Sequence, residues 1–156
     1  MGFSSWALEA GDEPAVRLLR QVGAVVEAAI TEHGGRVVKR LGDGVMAVFT
    51  DPQDAAGAAL AALDELDGIE VAGHRPSMRV GIHHGRPRRL GGDYLGVDVN
   101  IGARVGAAAS GGQVLVTEAA CERLDRGTFS LGRSKRLKAP GAPKELRVRA
   151  VSRPAA

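Results

Sequence analysis

The chain holds a single cysteine, Cys121, among 156 residues. An intramolecular disulfide is excluded, and a cysteine-based zinc site nearly so. Aromatic side chains are scarce as well: Phe3, Trp6, Phe49, Tyr94 and Phe129 are the full set. The core must therefore be aliphatic, built from Val, Leu, Ile and Ala. A stacking platform for single-stranded nucleic acid is argued against on the same ground. No apolar run approaches the ~20 residues that span a bilayer. The chain does not open on a basic segment followed by an apolar stretch, so no signal peptide is expected. The expectation is a cytoplasmic protein with neither a membrane segment nor a nucleic-acid partner. No internal repeat and no low-complexity linker interrupt the sequence.

What is present is ordinary for a globular domain. Hydrophobic residues make up 44% and charged residues 25%, enough for one sizeable core. The length suits one domain, 1–156, rather than two. The net charge is +3, and 17 of the 21 basic residues are Arg. They concentrate at Arg86-Pro-Arg-Arg89 and Arg133-Ser-Lys-Arg-Leu-Lys138. A phosphate-bearing ligand and a pair of solvated strand ends are both open readings of those clusters.

Apolar spacing at Val16, Leu19, Val22, Val26 and Ile30 predicts a helix over about 13–33, with Asp12 as N-cap and Pro14 in the first turn. Arg36–Leu41 and Val45–Phe49 are β-rich, and Gly42-Asp43-Gly44 between them signals a hairpin. Pro52 opens an Ala-rich helix that stops near Asp67-Gly68. A strand over 78–84 follows, then a basic, Gly-containing connection over 86–96. A helix over about 97–109, a strand over 113–117, a short helix to about Leu124, and strands near 129–138 and 145–152 complete the chain. A turn over 139–143 joins the last two strands, and the tail from Ser152 is expected to fray. The order α-ββ-α-β-α-β-α-ββ implies an α+β fold, a mixed, mostly antiparallel sheet with helices on one face.

Two constellations carry chemistry. In Lys39-Arg-Leu-Gly-Asp43-Gly44 a tight turn projects one carboxylate between glycines. Alone it is also plain hairpin chemistry, since a single carboxylate holds Mg²⁺ weakly. In Gly92-Asp93-Tyr-Leu-Gly96-Val-Asp-Val-Asn100-Ile-Gly-Ala-Arg104, the amide of Asn100 and the guanidinium of Arg104 are four apart and share a helix face. That pair can hold a ribose and a phosphate, or be an ordinary surface pair.

Together these stretches resemble the catalytic domain of the class III nucleotidyl (adenylyl/guanylyl) cyclases, most nearly the small bacterial type. Gly2-Phe3-Ser4, His33 to Phe49, Arg79-Val-Gly-Ile-His83, Asp93-Tyr-Leu-Gly96, Val99-Asn100 and Arg104 occur in family order. The resemblance implies a palm-type, ferredoxin-like α+β domain, active as a homodimer with sites at the subunit interface. It implies conversion of ATP to 3′,5′-cyclic AMP and pyrophosphate with two divalent ions, Mg²⁺ or Mn²⁺. Asp43 matches a metal-binding aspartate. Lys39 matches the lysine that donates to adenine N1, and Asp93 the acceptor for the adenine amino group, a pair that favours ATP over GTP. Asn100 matches the ribose-orienting asparagine, and Arg104 the arginine that meets charge on the transferring phosphoryl group. Lys138 matches a lysine for the distal phosphates, with Lys135 and Arg136 as alternatives. Gly2, Phe3 and Ser4 match a loop whose N–H groups cradle phosphates.

One departure is plain. The family places a hydrophobic strand ending in aspartate before Gly-Phe-Ser/Thr, and only Met1 precedes Gly2 here. The first strand and first metal aspartate are therefore expected to be missing, and Glu9, Asp12 and Glu13 do not replace the latter. A degenerate or truncated homologue, acting as a dimerisation or nucleotide-binding module, is the alternative. A diguanylate cyclase is suggested only by Arg89-Leu-Gly-Gly-Asp-Tyr94, in which Tyr94 stands where a second acid belongs. A guanylyl cyclase is opposed by Lys39 and Asp93. Among the remaining polar residues, His83 is expected to be a core or hydrogen-bonded histidine, pointing away from His84. His33 and His74 are expected to be solvated, Cys121 a small buried hydrophobe, and Trp6 a packing residue under the first helix.

Overall fold

A computed structural model describes residues 3–41, 44–138 and 143–154. The chain opens with helices α1 (Phe3–Ala10) and α2 (Asp12–Glu32). Gly11, at φ 94°, breaks them apart and caps α2. Only glycine adopts that backbone readily. The cap expected at Asp12 thus falls one residue earlier, and Asp12 and Glu13 instead place negative charge in the first turn, where the helix dipole favours it. Helix α1 was not foreseen, because eight residues carry too little periodicity to read.

Strands β1 (Arg36–Leu41) and β2 (Gly44–Val48) pair antiparallel, and the last pair is Leu41 with Gly44. Val37 faces Ala47 and Lys39 faces Met46, so Val38 is an extra residue in the ladder. Such a bulge re-aims the side chains that follow it. Helix α3 (Pro52–Leu66) starts where the sequence says. The Asp51 carboxylate accepts the Gln53 N–H at 2.9 Å, and Pro52 occupies the first turn.

The remaining elements are β3 (Val80–Ile82), β4 (Arg88–Leu90), β5 (Asp93–Leu95), α4 (Val97–Ala108), β6 (Val114–Thr117), α5 (Glu118–Cys121), β7 (Ser130–Leu131), β8 (Lys135–Arg136) and β9 (Arg147–Ser152). The main sheet runs β3-β6-β9-β7, with β8 also on β9. Only β3 and β6 are parallel. Hairpins β1–β2 and β4–β5 stand as separate two-stranded ribbons. Among the described residues β2 pairs only with β1, and β3 only with β6, so the single sheet expected from the sequence is divided.

The core is aliphatic, as the composition requires. Strand β6 is buried along its whole length and alternates between two clusters. Val114 and Val116 meet Ala56, Ala59 and Leu60 of α3. Leu115 meets Ile101 and Val105 of α4. Successive strand residues point to opposite faces, so α3 and α4 lie on opposite sides of the main sheet. The one-faced arrangement expected from the sequence is corrected: β6 is apolar on both sides because it is covered on both. A third cluster joins Trp6, Leu18 and Val71. Trp6 Nε1 donates to the Ala72 carbonyl at 3.1 Å, and its ring stacks on His74 at 4.8 Å. His74 is thus a packing partner rather than a solvated residue. His33 is half-buried, with Nδ1 2.8 Å from the Ala29 carbonyl. Cys121 is buried, as expected, and burial pushes its thiol pKa up. Among the described residues no helix is long and apolar enough to cross a membrane.

Candidate functional site

The 86–96 connection contains structure the sequence reading missed. Gly91 at φ 61° and Gly92 turn the chain so that β4 and β5 form a hairpin, with Leu90 opposite Asp93 and Arg89 opposite Tyr94. A Gly-Gly pair between short strands was the available signal. The hairpin lies against β1. Lys39 Nζ is 3.0 Å from Asp93 Oδ2, both side chains being 39% exposed. Beside them the Arg36 guanidinium carbon lies 5.9 Å from the centre of the Tyr94 ring, and Arg36 Nη2 donates to the Tyr94 hydroxyl at 3.4 Å. The Lys39 hydrogen bond holds the Asp93 carboxyl below its ordinary range, helped by the Tyr94 N–H at 2.7 Å.

Asp93 leads through β5 and Gly96 directly into α4. Gly96 sits at φ 123° and caps that helix. Ile101 and Val105 press α4 onto the sheet. Asn100 and Arg104 each precede one of those buried positions and are exposed together on one flank. Among the described residues, the side chains of Asn100, Arg104 and Lys138 make no hydrogen bond or ion pair. Lys138 and Lys135 are exposed beside β8. Arg136 is already engaged, its Nε donating to the Lys144 carbonyl at 2.7 Å.

The N-terminal expectation is changed in form. Phe3 and Ser4 belong to the first turn of α1 rather than to a loop. The Phe3 ring packs 5.8 Å from Trp6 and 6.5 Å from His74. Ser4 is exposed in that turn, whose N–H groups have no acceptor within the helix. Gly2 and Asp43 lie outside the described residues. Among the described residues no group of three or more His, Cys, Asp or Glu side chains could hold a metal ion.

A network absent from the sequence reading supports α4 from beneath. His83 sits just past β3, with Nε2 2.8 Å from Asp98 Oδ1 and Nδ1 2.8 Å from Thr117 Oγ1. Asp98 Oδ2 accepts the Arg86 N–H at 2.9 Å. The His83 hydrogen bond, and then that N–H, hold the Asp98 carboxyl below its ordinary range. The expectation of a hydrogen-bonded His83 is met, but its partners were not readable, since nothing in the sequence brings positions 98 and 117 together.

Lys39 and Asp93 thus pair across adjoining hairpins, and β5 leads directly into the helix that carries Asn100 and Arg104. Residues 1–150 match the family described as the adenylate and guanylate cyclase catalytic domain. The chain belongs to that family. An uncharacterized protein of Mycobacterium tuberculosis is 39% identical over 98 residues, 63% of this chain and 25% of its own length. An adenylate cyclase of Streptomyces coelicolor is 34% identical over 113 residues, 68% of this chain and 29% of its own. Among solved structures, an adenylate/guanylate cyclase/hydrolase from Silicibacter pomeroyi superposes with a TM-score of 0.72 at 27% identity, covering 83% of this chain and 79% of that one. The cyclase domain spans about a quarter to a third of the length of the curated relatives it matches.

Proposed function

We propose that this domain is of the adenylyl type, converting ATP to 3′,5′-cyclic AMP and pyrophosphate at the interface of a homodimer. The observation that supports it most is the Lys39–Asp93 pair. A cationic donor and an anionic acceptor stand side by side at 3.0 Å, each partly open to solvent. The adenine edge presents the complementary pair, an acceptor at N1 next to a donor at N6. Guanine presents the reverse pattern at those positions. Lys39 donates to N1 and Asp93 accepts from the amine, each exchanging one partner for another of like polarity.

Asn100 then orients the ribose so that its 3′-hydroxyl faces the α-phosphorus in line. Arg104 stabilises the charge that builds on the transferring group. Ser4 and the first-turn N–H groups of α1 suit phosphate oxygens, with Phe3 holding that turn against Trp6. Lys138, or Lys135, meets the distal phosphates. Positioning and electrostatics are the protein's main contribution in phosphoryl chemistry. Cyclase domains of this family generally use divalent metal ions. Mg²⁺ or Mn²⁺ is proposed here, with Asp43 as a ligand. The described residues do not themselves make a cation site, and the steps above belong to the nucleotide-facing groups alone.

The test is cyclic nucleotide production from ATP and from GTP in Mn²⁺, with Asp43→Ala as the blank. Cyclic AMP that disappears in the variant supports the reading. Preference for GTP overturns the assignment of Lys39 and Asp93. Nucleotide binding without product from either substrate replaces the enzyme with a nucleotide-binding module.

A further inference from the structure

Asp98 lies in the first turn of α4 but does not cap it, and no side chain does. Its carboxylate turns back to the segment after β3, where it meets His83 and the Arg86 N–H. On its other side the His83 ring meets the hydroxyl of Thr117, which ends β6 and is 1% exposed. The order hydroxyl, imidazole, carboxylate is that of a nucleophile relay. Thr117 is too deeply buried for any substrate to reach, so the relay must serve structure.

Its protons can be assigned. The ionised Asp98 carboxylate only accepts, so His83 Nε2 carries a hydrogen. Nδ1 then accepts from the Thr117 hydroxyl when the ring is neutral, or donates to it when the ring is charged. The connection is complete in both states of the ring, as a strut requires. The backbone is shaped around it. A Cβ on Gly85 would lie 2.2 Å from Asp98 Cγ, and a Cβ on Gly102 of α4 would lie 3.9 Å from His83 Cβ. Gly85 is therefore what lets the carboxylate reach its partners.

The strut holds the helix that presents Asn100 and Arg104. At 100° per residue, Asp98 shares the inner face with Gly102 and Val105, while Asn100 and Arg104 lie about 160° and about 120° round from Asp98, on the exposed flank. A roll of about 10° would carry a group 5–6 Å from the helix axis by ~1 Å. A misplacement of that size can cost ~100-fold in rate. We propose that His83 is a positioning residue for cyclisation: through Asp98 and Thr117 it fixes the roll of α4, and so the reach of Asn100 and Arg104. The proposal rests on the adenylyl cyclase reading given above.

The test uses His83→Phe, a ring that cannot hydrogen-bond, and His83→Gln, whose amide can still donate to Asp98. With ATP and Mn²⁺, His83→Phe should lower kcat ~100-fold while KM changes less than about threefold, and His83→Gln should recover most of the loss. In an Asn100→Ala/Arg104→Ala background the same Phe substitution should cost under about threefold more, since both groups it positions are already gone. In hydrogen exchange, the amides of 98–104 should exchange at least about tenfold faster in His83→Phe, with those of α3 unchanged. An unaltered kcat, an equal loss in both backgrounds, or faster exchange spread evenly over α3 and α4 overturns the proposal. A wild-type chain that makes no cyclic nucleotide would overturn the enzyme reading instead. The exchange pattern would then decide the strut alone: loosening confined to α4 upholds it, and any other pattern removes it.

Discussion

Lys39 Nζ and Asp93 Oδ2 meet at 3.0 Å although 54 residues separate them in the chain. The bulge at Val38 and the Gly91-Gly92 turn make the meeting possible, each re-aiming one hairpin. Both side chains are 39% exposed, so their attraction adds little to stability, about 0–1 kcal/mol. Under the proposed function their value lies in recognition. Lys39→Glu sets two carboxylates against each other and removes the donor for a base nitrogen. Titration with a fluorescent ATP analogue should show affinity falling about 10- to 100-fold, the worth of one charge-assisted hydrogen bond. The melting temperature should barely move. Undiminished binding would remove Lys39 from the site.

Asn100 and Arg104 should behave differently from core residues on the same helix. Both are exposed, while Ile101 and Val105 beside them are buried. Asn100→Ala and Arg104→Ala should each lower kcat about 100-fold or more, as loss of a group facing developing charge does. Their urea midpoints should stay near wild type. Val105→Ala should reverse the pattern, losing about 1–3 kcal/mol of stability through the cavity it opens. Steady-state kinetics beside urea unfolding separates the two classes. An Arg104→Ala chain that unfolds early would mark Arg104 as a packing residue.

The sequence displayed the elements that carry long periods or strong stops. Helices α2, α3 and α4 begin and end within a residue or two of expectation, because apolar spacing and Gly or Pro punctuation agree there. Hairpin β1–β2 was legible from Gly42-Asp43-Gly44. Helix α1 and hairpin β4–β5 were not, since eight and three residues are too few for a period to emerge. At the site, the pairing of Lys39 with Asp93 came only as an implication of family resemblance. No local rule reports a contact across 54 positions, and none reports the bulge that aims Lys39. Thr117 shows the same limit: it stands at the start of α5, as the Thr-Glu pair suggests, but nothing in the sequence says that its hydroxyl meets His83.

Acid should weaken the attachment of α4. The Asp98 carboxyl is held below the ordinary value of 3.8, first by the His83 hydrogen bond and then by the Arg86 N–H. A carboxyl whose value is lowered by folding contributes stability that is whole above the unfolded value. The contribution is lost as the pH falls through the lowered, folded value. Asp98→Asn should therefore be less stable than wild type near neutral pH, and the gap should narrow as the pH drops below ~4. Urea midpoints of both proteins across that range give the answer. A gap that widens in acid would contradict the assignment.

Helix α4 meets β3 at Gly81 backbone to backbone, with no side chain between them. A Cβ on Gly81 of β3 would fall 2.2 Å from the Gly106 nitrogen, 2.6 Å from its Cα and 2.8 Å from the Gly102 carbonyl oxygen. All three atoms are backbone, so no side chain can swing aside. Replacing glycine by alanine ordinarily stabilises by about 0.4–1 kcal/mol where the backbone tolerates it, by restricting the unfolded chain. At Gly81 that gain is overwhelmed, because strand and helix must separate by a sizeable fraction of an ångström in a packed core. Gly81→Ala should cost about 1–3 kcal/mol or more. Gly92→Ala is the control, with no atom within 4 Å of its new methyl group and no left-handed backbone to strain. It should be neutral within about 0.5 kcal/mol. Because Asn100 and Arg104 ride on the displaced helix, the folded fraction of Gly81→Ala should also turn over ATP more slowly than Gly92→Ala. Equal midpoints for the two variants would mean that α4 does not sit directly on the β3 backbone.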